Sequence, residues 1–215
     1  LTPLFALALG VACDDARERS TPDEAAPGTG EGAGEGETDG NPTPPNLLVV
    51  LADDFGVDVS PCYADETPEM PTLRRLCEQG AVFDLAWSNP ICSPTRATIL
   101  TGRYSFRTGV GSQIAGTDTP SLPLDEFTLA QALKAHPSHP YATGAFGKWH
   151  LANRDNGGAA HPQTAGFDHF SGLLQGGLQD YWTWRRTVNG LAAEVEGYAT
   201  TVAVGRLLLP GSWVW

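Results

Sequence analysis

The 215-residue chain is short of positive charge, of long apolar runs and of paired cysteines, and each shortage narrows what it can be. Thirteen Lys and Arg stand against 25 Asp and Glu, a formal net charge of −12. A nucleic-acid footprint needs a clustered basic face on a basic domain, so nucleic acid is excluded as a partner. The apolar stretch from Leu1 to Ala12 falls short of the ~18–20 residues that a helix needs to cross a bilayer. Cys13, Cys62, Cys77 and Cys92 show no paired C-x-x-C spacing, and so carry no obvious metal motif.

What charge there is lies unevenly. Residues 14–45 hold nine acids against two Arg, a net of −7, which leaves −5 for residues 46–215. This acidic stretch is made of Glu, Gly, Pro, Thr and Asp, too little apolar surface to offset its ordering entropy, and it reads as a disordered tether. Before it, residues 1–13 resemble the end of a secretory signal. Gly10-Val11-Ala12 precede Cys13 as small residues precede a bacterial lipoprotein processing site, with the usual leucine displaced to Leu9; Cys13 would then be lipidated. The other reading is an apolar core strand. Residues 46–202 form the folded region, and residues 203–215 an atypical apolar tail.

Order begins at Asn46. Leu47 to Ala52 is an unbroken apolar run, the pattern of a strand buried on both faces of a parallel sheet, and Asp53 and Asp54 follow it directly. Open α/β sheets place their sites at the carboxyl ends of strands, and two adjacent carboxylates need a cation if buried. A helix cap or a turn is the simpler use of such a pair. Pro71 to Gln79 reads as a short helix, started by proline and followed by Gly80, with Leu73, Leu76 and Cys77 on its apolar face and Arg74 and Arg75 in solvent. Ala81 to Phe83 resumes a strand pattern. Next comes Cys92-Ser93-Pro94-Thr95-Arg96, with Pro94 suited to the first helical position and Gly102 to the helix end. A spacing of four puts Cys92 and Arg96 on one face at a helix N-terminus, where negative charge is stabilised. A buried structural cysteine is the plainer alternative.

Further on, Glu126 to Lys134 has helical spacing at Leu129, Ala132 and Leu133, with Thr128 as its cap. Tyr141 to Phe146 reads as a short core strand ending in Gly147-Lys148-Trp149-His150-Leu151. Two residues apart in an extended segment, Lys148 and His150 project to one side and reach one anion; alternatively they are an exposed pair. His136, His139, His161 and His169 have no partners at metal spacing and read as surface or loop residues. Trp182, Trp184, Arg185 and Arg186 line either a sugar or aryl site or an aromatic strand packed on the core. Asn189-Gly190 is a hairpin turn signal.

Taken in order, Pro45 to Asp54, Cys92 to Arg96 continuing into Thr101-Gly102-Arg103, and Gly147 to Leu151 resemble the sulfatase family over about residues 45–202. The resemblance implies an α/β fold, a largely parallel sheet sandwiched by helices as in the alkaline phosphatase superfamily. It implies hydrolysis of a sulfate monoester through a covalent sulfo-enzyme intermediate, with Cys92 oxidised to formylglycine by a formylglycine-generating enzyme. Asp53, Asp54 and the converted Cys92 would hold Ca²⁺ or another divalent cation. Arg96 would hold the aldehyde hydrate, Lys148 a sulfate oxygen, and His150 would take the proton that lets the hemiacetal collapse.

The same resemblance implies a sulfated small molecule or glycan as substrate and a place in the bacterial cell envelope, membrane-anchored through lipidated Cys13 or free in the periplasm or outside. With those fates for Cys13 and Cys92, Cys62 and Cys77 either pair in an oxidising compartment or stay reduced and buried. Family members run longer and carry a later metal pair, histidine and lysine. The chain therefore reads as an N-terminal fragment, active or silent. The competing functions are a phosphonate or phosphodiester hydrolase of the same superfamily, and a catalytically silent lipoprotein that binds sulfated glycans.

Overall fold

The computed structural model describes residues 44–137 and 140–208, the last five by backbone alone. Residues 1–13 and most of the acidic tether lie outside the described residues, as does His139. Every element described below lies in the unit that contains residues 51–208.

Helix α1 (Pro71–Gln79) starts on proline and ends at Gly80. Its half-buried positions are Leu73, Leu76 and Cys77, the expected face, and Arg74 and Arg75 are exposed. Cys77 is disulfide-bonded to Cys62, with their Cα atoms 5.4 Å apart, so the pair is oxidised. Helix α2 (Cys92–Thr101) ends at Gly102, whose left-handed φ of 66° is the conformation that glycine adopts without steric cost. Pro94 is the third helical residue, not the first; Ile91 is the N-cap and Cys92 opens the helix. The short α3 (Ser105–Thr108) follows. Helix α4 (Leu129–Lys134) begins with a full capping box, in which Thr128 and Gln131 satisfy each other's backbone N–H groups. Its buried position is Ala130, so the face turned inward is offset from the Leu129, Ala132 and Leu133 spacing.

Strand β1 (Gly144–Lys148), α5 (His161–Thr164), β2 (His169–Leu173), β3 (Thr183–Val188), β4 (Leu191–Glu196) and α6 (Ala199–Leu208) complete the chain order. The sheet runs β1-β2-β3-β4. Its β1-β2 pair is parallel and the other two are antiparallel, so the α/β class stands with a mixed sheet. Asn189 and Gly190, both at positive φ, close the β3-β4 hairpin as the turn signal requires. Trp184 is buried and its indole N–H donates to the Gly197 carbonyl, whereas Trp182, just before the strand, is exposed. Helix α6 runs across the boundary expected at residue 202 and continues through Gly205.

Two expected strands are absent. Leu47 to Val50 has no strand geometry and is 43–54% exposed, and Ala81 to Phe83 is likewise irregular. An apolar run marks what a strand would bury, but a strand exists only by pairing, and among the described residues no ladder takes either segment. No helix among the described residues is long and apolar enough to cross a membrane.

The core is centred on Trp149, the residue between Lys148 and His150. Its indole meets Phe167 and Phe170 edge-on at 5.7 and 5.9 Å, and Ala97 of α2, Val110, Leu122 and Leu151 close around it. His161, expected at the surface, is buried at 1% exposure in this core. Its Nδ1 accepts the Trp149 indole N–H at 3.1 Å and its Nε2 lies 3.2 Å from the Leu122 carbonyl. A carbonyl only accepts, so Nε2 carries the proton and the ring is neutral. Burial pushes its pKa down to about 4 despite the carbonyl bond. That pairing is what admits a histidine to an apolar interior.

Candidate active site

Helix α2 and the end of β1 bring the reactive residues together. Cys92 Sγ lies 3.1 Å from His150 Nδ1. His150 Nε2 lies 3.0 Å from the Ile114 carbonyl, which requires a proton on Nε2 and leaves Nδ1 as the acceptor of the Cys92 S–H. Burial pushes the His150 pKa down; the Ile114 carbonyl and Asp53 oppose it, and the Lys148 and Arg96 charges add to it. A neutral imidazole beside the thiol is the result.

Ile114 fixes this spacing from both sides. Its N–H donates to Ser93 Oγ at 3.4 Å, next to Cys92 on α2, while its carbonyl holds His150. From the sheet side, Trp149 N–H donates to the Leu173 carbonyl and His150 N–H to the Leu174 carbonyl, at 2.8 and 3.0 Å, extending the β1-β2 contact past the strand end. That contact is close because Gly147 faces Gly172: a Cβ on Gly172 would sit 1.8 Å from the Gly147 carbonyl oxygen. The expected reason for the convergence of Lys148 and His150 needs correction. The strand stops at Lys148 and His150 has a φ of 55°, so a left-handed turn, not extended alternation, aims the two side chains.

The charged side chains meet at Asp53. Lys148 Nζ donates to Asp53 Oδ2 at 2.6 Å and Arg96 Nη2 to Oδ1 at 3.4 Å, while Arg96 Nη1 donates to the Lys148 carbonyl. Burial alone would raise the Asp53 carboxyl, but the Lys148 ammonium beside it, by hydrogen bond and by charge, and Arg96 hold it below the usual carboxylate range. Among the described residues Arg96 Nε–H is buried without an acceptor, and Ser88 Oγ, lining the same recess as Cys92, Arg96 and Asp53, is also unpartnered. Unsatisfied buried polar groups are costly, and an oxygen-rich anion against this recess would satisfy the Arg96 donor.

Asp54 is exposed and does not join this cluster. Among the described residues no three His, Cys, Asp or Glu side chains converge as a metal-holding group. The physical reason is that Asp53 is already neutralised by two cations, and its neighbour at a φ of 54° is turned to solvent. Hard carboxylate oxygens suit calcium in kind, and the two carboxylates carry four of the roughly six to eight oxygens it takes. Asp53 and Asp54 are the residues here that would hold such a cation, supplying part of its oxygen shell.

The family model described as Sulfatase matches residues 45–201. The chain belongs to the sulfatase family. It is 37% identical over 178 residues to mouse steryl-sulfatase, covering 78% of this chain and 28% of that protein. It is 40% identical over 131 residues to human arylsulfatase G, covering 60% of this chain and 24% of the relative. Among solved structures, BT4656 in complex with its substrate D-glucosamine-2-N,6-O-disulfate is 28% identical, with a TM-score of 0.53 over 72% of this chain and 29% of that one. The chain thus spans under a third of the length of these sulfatases. What it shares with them is the α/β fold of the family around the Cys92 helix and the β1 end.

Sequence reasoning found Cys92, Arg96, Lys148, His150 and Asp53, all of which the structure brings together. It missed the Ile114 backbone, whose role no side-chain type advertises, and Gly176, which lies against His150.

Proposed function

We propose that the chain carries the nucleophile and anion-binding part of a sulfate-ester hydrolase. The supporting observation is the single cluster in which the Cys92 sulfur faces a neutral His150 at 3.1 Å, beside the Lys148 and Arg96 cations. Sulfatases generally work with a formylglycine and a divalent metal; conversion of Cys92 would supply an aldehyde hydrate hydroxyl as nucleophile where the sulfur now stands.

The chain's own residues supply the rest. Arg96, with its buried unpartnered Nε–H, and Lys148 bind the sulfate oxygens, and Lys148 leaves Asp53 to do so. His150 Nδ1, neutral and held by Ile114, accepts the proton from the group at position 92. Asp53 keeps the two cations oriented between turnovers. The substrate is a sulfated sugar, sterol or aryl alcohol, the classes named for the relatives. The Cys62–Cys77 disulfide supports maturation in an oxidising compartment, in keeping with a cell-envelope location and a lipid anchor at Cys13.

The test is peptide mass spectrometry of the full-length protein from its own host, alongside hydrolysis of an aryl sulfate and an aryl phosphonate. Formylglycine at Cys92 shows as a loss of about 18 Da, sulfur exchanged for oxygen with two hydrogens removed. That loss with faster sulfate than phosphonate turnover is the expected result. Unmodified Cys92 in a host that has the maturation enzyme, or no sulfate turnover, overturns it.

A further inference from the structure

Gly176, in the loop after β2, touches the centre of the site. A Cβ built on Gly176 would lie 2.2 Å from His150 Cε1, 2.5 Å from Nε2 and 2.9 Å from Nδ1. These are atoms of the ring itself, not the tip of a flexible chain. The ring has little room to retreat, being 1% exposed and bonded through Nε2 to Ile114 and through Nδ1 to Cys92. Its backbone is tied as well, by the bond from His150 N–H to Leu174.

We propose that Gly176 is a positioning residue for His150: its bare Cα is the wall against which the imidazole is seated, and a side chain there drives the ring away from Cys92. Gly176 does not have the left-handed φ that would explain a glycine by backbone strain. Its neighbour Gly177 lacks such a φ too, and a Cβ on it meets nothing within 4 Å. The two glycines therefore differ in what a methyl group would strike, and Gly177 serves as the internal control.

A ring pushed to ordinary van der Waals contact moves by on the order of 1 Å, and a displacement of that size at a reacting group costs about 10²-fold in rate. This kinetic consequence rests on the hydrolase reading above. The geometric one does not, because the thiol of unconverted Cys92 reports on the ring directly.

The experiment uses the full-length protein in two forms. Made without the maturation enzyme, it is treated with iodoacetamide at fixed pH, and the Cys92 peptide is followed by mass spectrometry. Gly176→Ala is expected to change the alkylation rate in the same direction as His150→Ala and to within about threefold of it, and the double variant to add nothing further, as for residues acting through one contact. Gly177→Ala stays at the wild-type rate. Made with the maturation enzyme, Gly176→Ala lowers kcat about 10²-fold while KM holds within about threefold, since Lys148 and Arg96 are untouched.

Should Gly176→Ala not fold, the double variant is expected to fold, because removing the ring leaves space for the methyl group. The proposal is overturned if Gly176→Ala matches Gly177→Ala in alkylation, if the effects of the two single variants multiply in the double variant, or if the double variant fails to fold as well. Absent sulfate turnover in the wild type would sink the hydrolase reading and leave the alkylation result to decide the positioning role.

Discussion

The Cys92 sulfur and His150 Nδ1, 58 residues apart in sequence, stand 3.1 Å from each other because the backbone of Ile114 is bonded to both sides of the contact. One carbonyl fixes the tautomer, and the tautomer fixes which nitrogen can take a proton. A replacement that keeps a polar ring-sized group without that basic nitrogen should therefore fail chemically while folding normally. His150→Asn is expected to lower kcat by roughly 10²–10⁴-fold, the range of a lost general base, with an unchanged melting temperature within a few degrees. Steady-state kinetics on an aryl sulfate and a thermal melt check the two halves.

Asp53 answers two cations at once, and it is a third exposed where Arg96 and Lys148 are 12% and 18% exposed. Asp53→Asn leaves both cations without their counter-charge, and a loss of about 1–3 kcal/mol, discounted for solvent screening, is expected in urea denaturation. The pH dependence has a definite sign. A carboxyl whose folded pKa lies below its ordinary 3.8 gives stability that is full above that value and is lost as pH falls through the folded pKa. The wild type should thus lose more stability than Asp53→Asn between pH 4 and pH 2, and parallel curves would contradict the ion-pair account.

Much of the site was legible because its chemistry is carried by side chains at fixed spacings: Cys92 and Arg96 one helical turn apart, Lys148 and His150 bracketing one residue. The local elements were legible where a terminus signal existed, as at Pro71, Thr128, Gly102 and Asn189-Gly190. Leu47 to Ala52 and Ala81 to Phe83 were misread because apolarity is local and strand pairing is not. His161 was misread for a related reason: its burial depends on Trp149 and Leu122, 12 and 39 residues away, which together satisfy both ring nitrogens. Gly176 has no side chain to read, and only proximity reveals it.

Thr128 offers a test of the packing behind α4. Its hydroxyl caps Gln131 N–H and also donates to the Ala165 carbonyl, tying the helix start to the turn after α5. Thr128→Ala removes both bonds, and a loss of about 1–2 kcal/mol is expected in equilibrium unfolding. Thr128→Ser keeps the hydroxyl and both of its partners and should recover most of it.

His161 makes the last prediction, and its sign is the same as that of Asp53, in a window at higher pH. The ring is neutral when folded, with a pKa of about 4, and titrates near 6.5 when unfolded. Between those values the unfolded chain takes up a proton that the folded chain refuses, so stability is full above about pH 6.5, falls as pH drops toward 4, and levels off below. At about 1.4 kcal/mol per pKa unit the loss is on the order of 3 kcal/mol. His161→Gln, which can offer an oxygen to the Trp149 indole and an N–H to the Leu122 carbonyl, should be the mildest replacement and should flatten the curve in this window. His161→Ala, leaving those two groups buried and unpaired, should cost about 2–4 kcal/mol at pH 7 and flatten it as well. Urea denaturation at half-unit pH steps from 4 to 7.5 measures all three; a wild-type curve flat over that range would mean that His161 is not held neutral by the core.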